Sequence, residues 1–158
     1  MTSTGRTAPL DASTRFRAPT YVSDVIERGR LLAMLRAGAG HQLVVIHAPA
    51  GYGKTTLAVQ WLQVLQEEGA HVAWLGLHQD DNDPHWFLHH LLEAAHRALP
   101  AAQDAIAELK DLIEQGAEDM HRYTLSALLE LVTRHGGRFV FTFDDWHLID
   151  DPQVHRAL

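Results

Sequence analysis

An α/β fold built on a parallel sheet is what this sequence predicts, and three observations carry that expectation. Short runs at 43–46, 71–77 and 138–145 have the β-branched and aromatic character of buried strands, and longer amphipathic stretches separate them. The first run passes through a glycine-bearing turn straight into a helical pattern. The last ends in a pair of acids. Strands alternating with helices in this way build βαβ units.

The organising stretch is Gln42 to Leu57, QLVVIHAPAGYGKTTL. Leu43 to Ile46 suit a strand buried on both faces of the sheet. Ala48 to Gly53 are small or turn-forming apart from Tyr52, and from Lys54 the apolar residues Leu57, Ala58, Trp61, Leu62 and Leu65 recur at spacings of three and four. Strand, glycine loop, Lys-Thr-Thr and helix together form the setting of a phosphate-binding P-loop. Such a loop aims unpaired N–H groups inward over a helix N-terminus, where the dipole also favours negative charge. Ala50, Gly51, Tyr52, Gly53, Lys54, Thr55 and Thr56 are the candidate nucleotide-binding residues. Gly51 and Gly53 leave room for phosphate oxygens and permit positive φ. Lys54 supplies a charge for the β- and γ-phosphates, and the Thr55 hydroxyl is placed to ligate Mg²⁺. Ala48 stands where the G-x-x-x-x-G-K-[ST] pattern has its first glycine, which requires only that the strand leave with ordinary φ.

A second stretch, Arg138 to Asp145, reads RFVFTFDD. It has the form of a Walker B strand, whose terminal acid meets the Mg²⁺ held by the P-loop hydroxyl. Ligands of open α/β sheets gather at that end of the strands. Asp144 is the candidate Mg²⁺ residue, through water, and Asp145 the residue that orients the attacking water. A strand ending in Asp-Asp is by itself most simply a turn; downstream of a P-loop it reads as functional.

The 158 residues suffice for one domain with a core, and a net charge of −7 argues against a general phosphate-backbone binder. The absence of cysteine excludes a disulfide framework and thiolate metal sites. No apolar run is long enough to span a bilayer and no signal-peptide core is present, so a cytoplasmic protein is expected.

In chain order, residues 1–19 are rich in Thr, Ser, Arg, Ala and Pro without apolar periodicity and read as a flexible tail, with Asp11 and the prolines weighing against a transit peptide. A nucleotide-binding domain is expected over 20–158. Val25, Ile26, Leu31, Leu32 and Leu35 suggest a short segment and then a helix beside the core, and Gly38 to His41 the turn into the first strand. The helix from Lys54 runs to about Glu68 with Gly69 as its C-cap, and HVAWLGL at 71–77 is the second strand. Asp80, Asp81 and Asp83 do not have the offsets of a calcium loop; Asn82 or Asp83 reads instead as an N-cap with Pro84 at the first helical position. Helices are expected over 85–99, with Trp86, Phe87, Leu91, Leu92 and Ala95 inward, over 104–114 with Gly116 as its stop, and over 119–134, with Leu125, Leu128, Leu129 and Val132 inward. His85 and His89, one turn apart, lack a third ligand and read as a solvated face rather than a zinc site. Asp150-Asp151-Pro152 opens a last helix.

Taken together, APAGYGKTTL with Gln60-Trp61, AWLGL, the DDNDP stretch ending at Phe87, FDDWHLIDDP, and RFRAP followed by VIERGRLL resemble the nucleotide-binding domain of MalT-like regulators. These are large ATP-binding LuxR-type transcription factors of the STAND class of P-loop NTPases. The likeness covers about Arg15 to Leu158. It implies a three-layer ASCE/AAA-like sandwich, truncated after the Walker B strand, in which Lys54, Thr55 and Asp144 bind MgATP and Asp145 assists slow hydrolysis. Ile26 and Arg28 occupy a Val-x-Arg-like element beside the adenine, with Glu27 and Gly29 departing from the family pattern. The likeness further implies a strand between the P-loop and Walker B strands, drawn from sequence beyond Leu158, so that the chain alone has a gap in mid-sheet and is poorly stable.

The function expected is an ATP-operated signal-transduction switch: binding ATP in place of ADP shifts the module toward self-association, and hydrolysis resets it. An inducer of unknown identity and DNA would be bound only by C-terminal domains. A kinase-type P-loop phosphotransferase, and an interaction module with a vestigial P-loop, are the alternatives.

Overall fold

A computed structural model describes residues 13–21, 26–115 and 120–157. Among these residues the sheet has two strands, β1 (His71–Gly76) and β2 (Phe139–Asp144), paired in parallel from His71↔Phe139 to Gly76↔Asp144. Their alternation sorts side chains to two faces. Val72, Trp74 and Val140 join a cluster with helices α1 (Gly29–Ala37) and α2 (Lys54–Glu67). Ala73, Leu75, Phe139, Phe141 and Phe143 face the opposite way. There they meet α3 (Pro84–Ala98), α4 (Gln103–Glu114), α5 (Met120–His135) and α6 (Pro152–Ala157). The result is three layers, the arrangement a doubly covered parallel sheet requires.

The larger cluster centres on Phe87, fully buried, which packs on Phe143 at a ring separation of 6.1 Å and edge-on against Trp146 at 6.3 Å. Helix α3 begins where expected, with the Asp83 carboxylate accepting from the N–H groups of His85 and Trp86 and Pro84 in the first turn. Two facing assignments are corrected. Trp86 is half exposed, because positions 87, 88, 91 and 92 take the core stripe and leave 86 and 90 on its flank, where Trp86 stacks on His90 at 5.9 Å. Leu129 is exposed for the same reason, one position past buried Leu128.

The apolar run 43–46 is not part of the sheet, contrary to the strand expected there. It keeps a strand's two-sided character: Val44 and Ile46 pack into the α1–α2 cluster, whereas Leu43 and Val45 are 78% and 76% exposed. The physical reason is that no described strand lies beside it to complete a ladder. Two ties nonetheless hold the segments that flank this run near β2. Arg138 donates to the Ala39 carbonyl at 2.8 Å below the strand, and Thr55 donates to Asp144 at its top.

Most of the tail expected over 1–19 lies outside the described residues, as do Val25, Gly116 and Asp119. Its last part is corrected. Thr14–Phe16 forms a 3₁₀ turn, and the Arg15 side chain is only 10% exposed, ion-paired to Asp81. Among the described residues no helix is long and apolar enough to cross a membrane.

Candidate functional site

Residues 48–53 fold into a turn closed by the Tyr52 N–H to the Pro49 carbonyl, and Gly51 and Gly53 both take positive φ, 81° and 74°. A side chain at either position would be strained. Gly53 is the N-cap of α2 and offers no side chain to satisfy the helix's first N–H groups, and the first turn carries no acid. The dipole end and its donors are therefore left to an anion.

Lys54 turns back over this loop, its Nζ donating to the carbonyls of Ala48 at 2.9 Å and Pro49 at 3.1 Å. Thr55 Oγ1 donates to both carboxylate oxygens of Asp144, at 3.0 and 3.2 Å, across 89 positions of sequence. The two residues expected to share Mg²⁺ are thus brought together. The donor set fits that ion: the hydroxyl keeps its oxygen lone pairs for a hard cation while its proton is held by Asp144, whose remaining lone pairs can accept from metal-bound water.

Other candidates fall around this centre. Ala50 and Tyr52 are exposed on the loop. Thr56 directs its hydroxyl to the Tyr21 hydroxyl at 3.2 Å. The Arg28 guanidinium lies on the loop itself, donating to the Tyr52 carbonyl at 2.9 Å. Asp145 is exposed and takes a left-handed backbone, φ 58° and ψ 34°, which a non-glycine residue adopts at a cost. That conformation turns the chain abruptly from β2 into the 3₁₀ turn Trp146–Leu148.

Sequence reasoning missed the group that joins the N-terminal segment to the β1–α3 loop. Asp81 is fully buried; it accepts from Arg15, from His90 Nδ1 at 2.6 Å and from the His78 N–H at 2.7 Å. With that proton on Nδ1, His90 Nε2 can accept from Arg15 at 3.3 Å. Burial alone would raise the Asp81 pKa, but the hydrogen bonds from His90 and His78 and the Arg15 charge bring it below the usual carboxylate value. Next to it, Asn82 donates to the Leu148 carbonyl at 2.8 Å and accepts from the N–H groups of Asp150 and Asp151 at 2.7 and 3.0 Å. The DDND stretch, read as a cap, is therefore also a staple holding both the N-terminal segment and the loop that follows β2.

A parallel α/β sheet, a glycine loop running into a helix and a hydroxyl meeting a strand-terminal acid define a fold of the P-loop NTPase type. The chain belongs to the AAA ATPase domain family, which matches residues 26–158. It is 38% identical over 150 residues to the serine/threonine-protein kinase PknK of Mycobacterium tuberculosis, covering 95% of this chain and 13% of that protein. It is 34% identical over 144 residues to the transcriptional regulator MalT of Vibrio cholerae, and 33% identical over 146 residues to MalT of Serratia proteamaculans. Each of these matches takes in 89% of this chain and 15% of the regulator. The likeness to MalT-like regulators read from the motifs is borne out, and the chain spans about one-seventh of the length of the curated relatives it matches.

Proposed function

We propose that this chain is the MgATP-binding switch module of a LuxR-type regulator of the STAND class. The observation that carries the reading is the Thr55–Asp144 pair at the mouth of the glycine loop. The backbone from Ala50 to Thr56 cradles the phosphates, and Lys54 exchanges two neutral carbonyl acceptors for charged phosphate oxygens, a stronger partnership for an ammonium. Thr55 and Asp144, as Walker A and Walker B residues, hold Mg²⁺, which neutralises phosphate charge when bound. Asp145 orients the water for slow hydrolysis, and Arg28 stands on the nucleotide's adenine side. Because the γ-phosphate separates ATP from ADP at this site, binding biases the module between two states. ATP promotes self-association in the cytoplasm, while inducer and DNA are recognised by other domains of the regulator.

Equilibrium binding tests the reading. The chain should bind MgATP, and Lys54→Ala should weaken binding by about a hundredfold, the scale of removing a charge-assisted hydrogen bond to phosphate. Equal affinity in the two proteins would make the loop vestigial. Steady-state turnover should be slow and indifferent to small-molecule acceptors; an acceptor that accelerates it would favour phosphotransfer instead.

A further inference from the structure

Helix α2 does more than present Lys54 and Thr55. Gln60, farther along it, uses both ends of its amide: Nε2 donates to the Ile26 carbonyl at 3.1 Å, and Oε1 accepts from the Arg28 N–H at 3.4 Å. Those two backbone groups flank Glu27 and point the same way, so the side chain pairs with the segment as a neighbouring strand would. One turn earlier, the Thr56 hydroxyl holds Tyr21. The backbone so fastened continues into Arg28, which is the N-cap residue of α1 and sends its guanidinium back to the Tyr52 carbonyl.

Gly53 shows how close that approach is. A Cβ there would stand 2.8 Å from the Arg28 guanidinium, so the missing side chain makes room for the arginine as well as permitting the loop's φ. The loop is thus held by a cation whose own backbone N–H is bonded to a glutamine farther along α2.

We propose that Gln60 is a positioning residue for the nucleotide site: it docks the Ile26–Arg28 strap on α2, and through Arg28 the docked strap sets the shape and charge of the glycine loop. This rests on the nucleotide-binding reading above. Strap docking and triphosphate binding are then coupled through the one guanidinium, so each strengthens the other by the same factor.

The test measures MgATP affinity calorimetrically on the full chain, with thermal unfolding of every variant. Gln60→Ala should raise Kd by about five- to tenfold, the scale of one hydrogen bond to a charged group acting at one remove. Gln60→Glu should behave like Gln60→Ala, because its carboxylate still accepts from the Arg28 N–H but opposes the Ile26 carbonyl. The double variant Gln60→Ala/Arg28→Ala should bind no more weakly than Arg28→Ala alone, since both act through one guanidinium. In the wild type, MgATP should slow hydrogen exchange at the Arg28 amide, a readout that stands even if Gln60→Ala fails to fold. A Gln60→Ala protein that melts earlier but keeps the wild-type Kd would reduce the residue to a structural tie. Additive effects in the double variant, or unchanged Arg28 exchange on binding, would equally overturn the proposal. If the wild type binds and Lys54→Ala does not, those results remove this inference alone; a wild type that binds no MgATP removes the nucleotide reading with it.

Discussion

At the scale of single residues, the one fully buried charge among the described residues is Asp81. It is buried with three donors on it, and its partners come from the N-terminal segment, its own loop and α3. Removing its charge leaves the Arg15 guanidinium only the longer ion pair with exposed Asp80 at 3.5 Å, so Asp81→Asn should cost roughly 3 kcal/mol in unfolding free energy, the lower end of the range for breaking a buried pair. The pH dependence follows from the lowered pKa. A carboxylate held below its unfolded value contributes stability that is complete above about pH 4 and is lost as pH falls through the folded value. His89 acts higher on the scale: burial, then Lys110 and His90, lower its pKa, so its contribution is present above about pH 6.5 and declines below it. Denaturant melts from pH 7 to 3 should therefore show two acid transitions in stability, the lower one shared by Asp81 and by Glu93, whose pKa burial would raise but Lys110 and Arg97 bring down, and reduced in Asp81→Asn. An unchanged lower limb would show that Asp81 is not one of the groups titrating.

At the scale of elements, sheet and helices are unequally held. Strand β1 is covered on both faces and paired along its length with β2, whereas the 43–46 run has packing on one side and solvent on the other. Amides 43–46 should exchange with solvent orders of magnitude faster than those of Ala73 and Leu75, and the isolated chain should bind an apolar dye before it unfolds. Protection equal to that of β1 would mean the run is paired. This element also marks where sequence reading stopped. Val44 to Ile46 have strand chemistry, but a strand exists only when a neighbour takes its hydrogen bonds, and that information is not local. Helices were legible because their hydrogen bonds are internal: α2, α3 and α4 lie within a residue or two of the periodicity's bounds, and Asp83-Pro84 marked its cap correctly. Arg15 was illegible for the opposite reason. Its partner lies 66 positions away, and nothing in a Ser/Thr/Arg/Ala/Pro-rich stretch sets Arg15 apart from its neighbour Arg17.

At the scale of the whole molecule, a loop early in the chain and an acid late in it are brought to one point because α2, which follows the loop, packs on the sheet whose second strand ends in the acid. The composition argued only against a general nucleic-acid binder; the convergence of Thr55 on Asp144 carries the functional reading. That convergence makes a demand on magnesium beyond ATP affinity itself. The direct measurement is ATP affinity with Mg²⁺ and with the metal chelated, in the wild type, Thr55→Ala and Asp144→Ala. Metal should tighten binding to the wild type by tenfold or more, about 1.4 kcal/mol, and should do little for either variant, whose metal-free affinities should match the wild type's. Full magnesium enhancement surviving in both variants would contradict the account.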